Sequence, residues 1–229
     1  MYSGIGCNQD KEINKTEWLT KEVPYGKKTT LKLSDGTQIK LNSGSMLYFP
    51  KVFKKDSSRI VFLEGEAFFD VVKDTTRPFI IHSSSITTTV MGTSFNIKAY
   101  QNEEDIVVSV VTGLVEVIDN VDKQSVYLNP KEQVVYNNAK KGLKKRSFES
   151  SEVSWKEGKL IFEGADLKEI IKQLERWYGV KFIVQNPRLL SKRGYTETFE
   201  NASLKMIMET ISFAGGFQFS ITNNKVTIK

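Results

Sequence analysis

The stretch RIVFLEGEAFFDVVKDTTRPFIIHSSSITTTVMGTSFNIKAY, Arg59 to Tyr100, decides how the rest of the chain is read. Val61, Leu63, Ala67, Phe69 and Val71 alternate with Glu64, Glu66 and Asp70, the period of two that marks a strand with one buried face. Gly65 interrupts the pattern, and a glycine inside a strand marks a bulge or a close backbone approach, so LEGEAFF predicts a strand bent around a corner of a sheet. On this reading Glu64 and Glu66 share a solvated outer face. Two further strands, Phe79–His82 and Ile86–Val90, precede Gly92, and Phe95–Tyr100 resumes the alternation, which predicts an all-β core.

The same period extends in both directions. Leu31 and Leu33, then Ile39 and Leu41, flank Ser34-Asp35-Gly36-Thr37, and Asp-Gly between alternating runs predicts a hairpin because glycine accepts the positive φ of a tight turn. Met46–Phe49 predicts a short strand closed by Pro50. Downstream, valine-rich Ile106–Val111 and Leu114–Ile118 flank Thr112-Gly113 and read as a second hairpin, followed by strands at Val126–Leu128 and Gln133–Tyr136. About ten to twelve short strands suit a sandwich or a short β-solenoid alike. Residues 137–154 break the alternation. Their cluster Lys140, Lys141, Lys144, Lys145 and Arg146 reads as a solvated linker, with contact to an anionic surface as the sharper alternative.

LSDGTQIKLNSGSMLYFP from Leu33, RIVFLEGEAFFDV from Arg59, RPFII from Arg77 and VMGTSFNIKAY from Val90 resemble, in order and spacing, the motifs of the iron-dicitrate sensor (FecR-type) family. Where that pattern reads Leu-x-Pro-Gly-Glu, this chain has LNPKEQ, with Lys131 in the place of the glycine. The resemblance implies the periplasmic portion of a transmembrane anti-sigma regulator, tethered to the inner membrane by an anchor outside this chain. It implies two partners: the periplasmic signalling domain of a TonB-dependent outer-membrane transducer, and a sigma factor reached through a cytoplasmic segment.

The C-terminal third carries a repeat. FEGADLKEIIKQLERWYGVKFIV from Phe162 aligns with FENASLKMIMETISFAGGFQFSI from Phe199, matching at Phe162/Phe199, Leu167/Leu204, Ile170/Ile207, Gly179/Gly216 and Phe182/Phe219. Each copy reads strand, helix, strand. Asp166 with Glu169 predicts a capping box; Leu167, Ile170, Ile171, Leu174 and Tyr178 form an apolar helical stripe; Gly179 predicts a left-handed stop. After Asn223-Asn224, Lys225–Lys229 predicts a last strand. WKEGKLIFEGADLKEIIKQLERWYGVKF resembles the C-terminal domain found in this sensor family, and its plan is similar to the secretin and TonB short N-terminal (STN) domain.

The expected organisation is therefore a lead-in at 1–23, an all-β domain at 24–137, a linker at 138–154, and a small α/β domain, a duplicated STN-like βαβ unit, at 155–229. A chain of 229 residues suits two modest domains, and 39% hydrophobic residues with 14 phenylalanines suit packed cores. No run approaches the roughly 18 apolar residues of a membrane helix. Met1–Cys7 lacks the charged start and apolar centre of a signal peptide, and a lone Cys7 forms no internal disulfide. The net charge of +6 is spread among 27 acidic residues, which argues against nucleic-acid binding.

Chemistry finds little foothold. One histidine and one cysteine exclude paired-histidine and thiolate metal sites. His82 sits in an apolar strand without a nucleophile elbow. Glu64 and Glu66, about 7 Å apart on one strand face, superficially fit a glycosidase pair but read as solvated surface. The sequence thus predicts a binding protein with no catalytic residue, metal or cofactor. Candidate partner-binding residues are Arg176 and Trp177, an aromatic beside an arginine, with packing on the neighbouring strand or on the first domain as the alternative role for Trp177. Lys225, Val226, Thr227 and Ile228 are candidates as an open sheet edge. The rival readings are a carbohydrate- or ligand-binding module with Tyr48, Phe68 and Tyr100 lining a groove, and a structural subunit of an envelope assembly.

Overall fold

The computed structural model describes residues 16–148, 150–191 and 194–229, so Cys7 and the first part of the lead-in lie outside the described residues. In chain order its first strands are β1 (Trp18–Val23), β2 (Thr29–Lys32), β3 (Gln38–Leu41), β4 (Ser45–Pro50), β5 (Arg59–Asp70), β6 (Phe79–Ser83) and β7 (Ile86–Val90). There follow β8 (Ser94–Ala99), β9 (Asp105–Thr112), β10 (Val115–Asp119), β11 (Ser125–Leu128), β12 (Glu132–Asn137) and β13 (Leu143–Ser147). All thirteen belong to one sheet that bends along β5.

The bend is local to Gly65. Up to Glu64, β5 pairs with β4 on one side and runs parallel to β6 on the other; from Gly65 onward it pairs with β8, and from Ala67 with β3. Gly65 has φ +94 and lies so close to Ser45 that a Cβ would meet its Oγ at 2.5 Å. The predicted corner is thus built from a backbone conformation and a close approach that both call for glycine. One layer contains β1, β4, β6, β7, β10 and β11 with the first half of β5; the other contains β2, β3, β8, β9, β12 and β13 with the second half. Between the layers lies a single apolar core that includes Leu47, Val61, Phe69, Ile81, Phe95 and Val108, with Phe69 stacked on Phe95 at 5.2 Å. Of a sandwich and a solenoid, these two facing layers have the plan of the sandwich, nearly closed where β11 approaches β13.

The hairpin at Asp35-Gly36 forms as predicted, Leu31 opposite Ile39. Asp35 has a second role. Its carboxylate lies 2.8 Å from Nη1 of Arg59, which is fully buried at the start of β5 and also donates to the carbonyls of Val72 and Arg77. Thr112-Gly113 is not a hairpin: β9 pairs with β8 and β12, while β10 pairs with β7 and β11 in the other layer. Alternation reports a buried face, and both strands have one, but it does not say which strand lies alongside. Gly113 is the crossing point between layers, packed against Thr93.

Residues 138–154, expected as a linker, instead contain β13 and a 3-10 turn over Ser150–Glu157, and the lead-in to residue 23 contains β1. The basic residues Lys144, Lys145 and Arg146 lie on an edge strand, where long charged side chains block further strand pairing.

The C-terminal part comprises β14 (Lys159–Ala165), α1 (Leu167–Tyr178), β15 (Lys181–Val184), β16 (Tyr195–Glu200), α2 (Leu204–Gly215), β17 (Phe219–Thr222) and β18 (Lys225–Ile228). The caps predicted at Asp166 and Gly179 form, and the second helix repeats them. Asp166 and Ser203 accept hydrogen bonds from the N–H groups of Glu169 and Met206, and Gly179 and Gly216 close the helices at φ +67 and +63. The strands form two small sheets, antiparallel β14–β16 and the mixed β15–β18–β17. Their core contains Phe162, Leu167, Ile170, Leu174, Ile207 and Val226.

Candidate functional site

Helix α1 belongs to two cores at once. Leu167, Ile170 and Leu174 are fully buried in the α/β part, while the helix's other flank lies against the outer face of the β3–β5–β8–β9 layer. Five contacts fix that flank. Lys172 Nζ donates to the Asn102 carbonyl at 3.3 Å; Arg176 Nη2 lies 2.6 Å from Glu103 Oε1; and the Arg176 guanidinium lies over the Tyr100 ring at 4.1 Å. The Gly26 N–H donates to the Arg176 carbonyl at 2.8 Å, and Lys28 Nζ lies 3.0 Å from the centroid of Trp177. Gly26 and Gly179 meet backbone to backbone: a Cβ on Gly26 would lie 3.2 Å from the Tyr178 carbonyl oxygen, and one on Gly179 3.1 Å from that of Tyr25. The helix C-terminus, where carbonyls lack intrahelical partners, is thereby satisfied by the other half of the molecule.

Beneath α1 and the 3-10 turn lies a polar chain. Asn42 and Asn96 donate to the two carboxylate oxygens of Glu66 at 2.8 and 3.0 Å, Trp155 Nε1 donates to Asn96 Oδ1 at 3.1 Å, and Lys28 Nζ donates to the Trp155 carbonyl at 3.1 Å. Phe68, Phe148, Val153 and Trp155 form a separate apolar cluster beside it. Gln133 extends the seam by donating to Glu152 at 3.0 Å. A cleft of about 350 Å3 runs along it, with Glu66, Lys98 and Gln133 on one side and Glu163, Glu169 and Arg176 on the other.

This overturns the reading of Glu66 as solvated. Glu66 does lie on the outer face of its layer, but the C-terminal part covers that face and leaves it only 8% exposed. Burial pushes its carboxyl above the ordinary range, against Lys98, Asn96, Asn42 and Arg176, which all favour the charged form. Burial also lowers Lys28 to about 8, opposed by Glu66. At Glu103 burial again acts upward, but Lys98 and Arg176 outweigh it and hold the group below its ordinary value. Desolvating an ionised carboxylate costs several kcal/mol, and hydrogen bonds to a charged group return about 1.5–3 kcal/mol each. Burial prevails, so ionising Glu66 does not add stability, and the hydrogen bonds serve to hold the carboxyl in place.

The sequence-predicted partner residues separate. Arg176 and Trp177 come together in this junction, within the chain, which is the alternative packing role anticipated for Trp177. Lys225–Ile228 does not form an open edge: β18 is the central strand, parallel to β15 on one side and antiparallel to β17 on the other, with Val226 and Ile228 fully buried. The two C-terminal strands read alike in sequence, and only the parallel pairing with β15 places β18 inside. The proposed carbohydrate groove fails as well, because Phe68 and Tyr100 are buried and only Tyr48 of the three is exposed. His82 is a strand residue whose Nδ1 lies 3.0 Å from Thr87 Oγ1 and whose ring packs on Phe62. Sequence reasoning missed Lys28, Asn96, Glu103 and Trp155. Asn96 reads as a polar residue on a strand face, the same signal as solvated surface, while Lys28, Glu103 and Trp155 lie in connecting segments whose partners the sequence does not name.

No helix among the described residues is long and apolar enough to cross a membrane. The FecR protein family model matches residues 20–116, and the model for the FecR C-terminal domain matches residues 159–228. Comparison with curated proteins returned no match. Two crystal structures, each of a candidate anti-sigma factor from Parabacteroides distasonis, are similar throughout: TM-scores are 0.83 and 0.84, identity is 31% in both, and the alignments cover 92% and 93% of this chain and 98% of those chains. Two ordered domain models and a structural likeness over nearly the whole chain agree: this chain belongs to the FecR family of anti-sigma sensors.

Proposed function

We propose that this chain is the periplasmic relay of a membrane-tethered anti-sigma factor, working as a binding module rather than an enzyme. The periplasmic signalling domain of a TonB-dependent outer-membrane transducer engages the C-terminal part, read as a duplicated STN-like domain spanning about residues 155–229. The consequence passes through the junction to the β domain and, by a tether and cytoplasmic segment, to an extracytoplasmic-function sigma factor.

The observation that carries this reading is the double membership of α1. Leu174 belongs to the α/β core while Arg176 and Trp177, one turn or less away, belong to the junction. A helix packed into both bodies cannot tilt with one without changing its contacts to the other. The test pairs calorimetric titration of this chain with the transducer's signalling domain and a sigma-dependent reporter in cells. Binding is expected for both the wild type and Trp177→Ala, whereas the reporter's response to transducer ligand is lost in Trp177→Ala. A wild-type chain that binds no transducer domain, or a variant whose reporter responds normally, would refute the relay.

A further inference from the structure

The three-stranded C-terminal sheet presents a face and an edge that the junction leaves uncovered. Val226 and Ile228 point inward, so Lys225, Thr227 and Lys229 point outward. The register places Lys181 directly opposite Lys225 on the same outer face, with Ile183, 48% exposed, opposite Thr227. Like charges directly opposite on neighbouring strands oppose the fold. Among the described residues no carboxylate lies within ion-pair distance of Lys181, Lys225 or Lys229, although eight other ion pairs form in the molecule. This face carries three exposed cations and, among the described residues, no side-chain carboxylate paired with them.

Beside it, β17 pairs only with β18 among the described residues. Gln218 and Lys229 exchange both backbone hydrogen bonds, at 3.4 and 2.9 Å. In an antiparallel pair hydrogen-bonded positions alternate, so Ser220 and Thr222 also bond inward while the N–H and C=O groups of Phe219 and Ile221 point to the free edge. Nothing in β17 guards that edge: it contains no lysine, proline or bulge, unlike β13 with its Lys144, Lys145 and Arg146.

We infer that β17 is a docking edge for an extended acidic segment of another polypeptide, which adds a strand beside Phe219–Thr222 and directs its carboxylates over the outer face toward Lys225 and Lys229 on neighbouring β18. The backbone groups supply the pairing and the lysine row supplies the selection, as in strand addition generally. Charge complementarity names the chemistry of the occupant. The outward amides favour a polypeptide over an anionic membrane, which has no strand to offer. The inference deepens the relay reading by assigning the surface at which the upstream partner arrives, and it rests on that reading only for the partner's identity.

The test places a photo-crosslinking amino acid at Ser220 of the full-length protein in its own cells, with the same probe at Val52, 65% exposed on the β domain, as control. The expected adduct maps by mass spectrometry to an Asp/Glu-rich segment of another protein. It should fall about tenfold or more in K225E/K229E, and similarly in Ile221→Pro, which removes an edge N–H without breaking a bond to β18. Circular dichroism of each purified variant should match the wild type. The proposal is overturned by an adduct no stronger than at Val52, by one that survives charge reversal or Ile221→Pro, by an adduct only to a second copy of this chain, or by charge-dependent sedimentation with anionic vesicles in place of a protein adduct. An acidic adduct to a protein other than a TonB-dependent transducer upholds the docking edge and refutes the relay's upstream partner.

Discussion

Arg176 lies 2.6 Å from Glu103 with both side chains at least 85% shielded from water, and this pair joins the last turn of α1 to the turn between β8 and β9. The two partners are not equivalent. Glu103 also contacts Lys98 at 2.7 Å, so it keeps an ion-paired cation when Arg176 is removed, whereas Arg176 is left with the Tyr100 ring and the attraction of Glu66, with no ion pair among the described residues, when Glu103 is neutralised. Leaving a buried charge unpaired costs about 3–5 kcal/mol. Glu103→Gln should therefore destabilise by about 3 kcal/mol and Arg176→Met by roughly half that, as read from urea midpoints. In both variants amide exchange at Gly26, whose N–H is bonded to the Arg176 carbonyl, should accelerate well before exchange in β5. Equal costs, or an unchanged Gly26 rate, would contradict this account of the junction.

The junction should also report pH through Glu66 and Lys28, with opposite signs. A carboxyl held above its ordinary 4.5 binds its proton more tightly in the folded state, so its contribution is fully present below pH 4.5 and is lost as pH rises through the folded value. Lys28, lowered from 10.5 to about 8, contributes fully above pH 10.5 and loses that contribution as pH falls through about 8. Comparing each single variant with the wild type cancels the remaining titrating groups. Wild-type stability should fall relative to Glu66→Gln as pH rises from 4.5 toward neutrality. Relative to Lys28→Met it should fall as pH drops from 10.5 to 8. Glu66→Gln should be offset at all pH values by about 1–3 kcal/mol, because the glutamine N–H2 faces one of the two asparagine donors. Parallel pH curves would show that neither group is titrating out of water.

Gly65 is a position where a single methyl group should do severe damage. Its φ of +94 disfavours any L side chain, and its Cβ would lie 2.5 Å from Ser45 Oγ and 2.7 Å from Ser45 Cα, the latter a backbone atom that cannot swing aside. Strain of about 1–3 kcal/mol and overpacking of a similar size add at one site. Gly65→Ala should cost about 3 kcal/mol or more in urea unfolding. Glu64→Ala, next to it but half-exposed, should cost under about 1 kcal/mol.

Elements whose physics is local were legible in the sequence. The caps at Asp166 and Gly179 and the Asp35-Gly36 turn each depend on a few consecutive residues. Gly65 was legible as a corner because an apolar alternation broken by glycine has few other meanings. What escaped depends on distant pairing. Thr112-Gly113 resembles a hairpin until Val110 and Val117 are seen in different layers, and β18 resembles an edge until β15 arrives in parallel from some forty residues upstream. The junction escaped for a related reason. Glu66, Asn96 and Gln133 are placed on their strands as surface residues would be, and only a second body laid over that face distinguishes a buried network from a solvated one.

Lys131 offers a test in which the expected change is a gain. It occupies the turn Asn129-Pro130-Lys131-Glu132 at φ +67, a left-handed conformation that costs an L residue about 1–2 kcal/mol and glycine nothing. Its backbone is committed there from both sides: its N–H donates to the Val110 carbonyl at 2.9 Å, and its carbonyl accepts from Phe148 N–H at 3.0 Å. The chain therefore cannot relax out of the strained region without releasing β9 or the segment leading to the 3-10 turn. The lysine side chain is exposed and makes no ion pair among the described residues, so little is lost with it. Glycine gives back part of the gain through the greater freedom of the unfolded chain. Lys131→Gly should stabilise the protein by about 0.5–1 kcal/mol, as a higher urea midpoint at unchanged slope. A lower midpoint would mean that Lys131 holds its turn through the side chain rather than despite it.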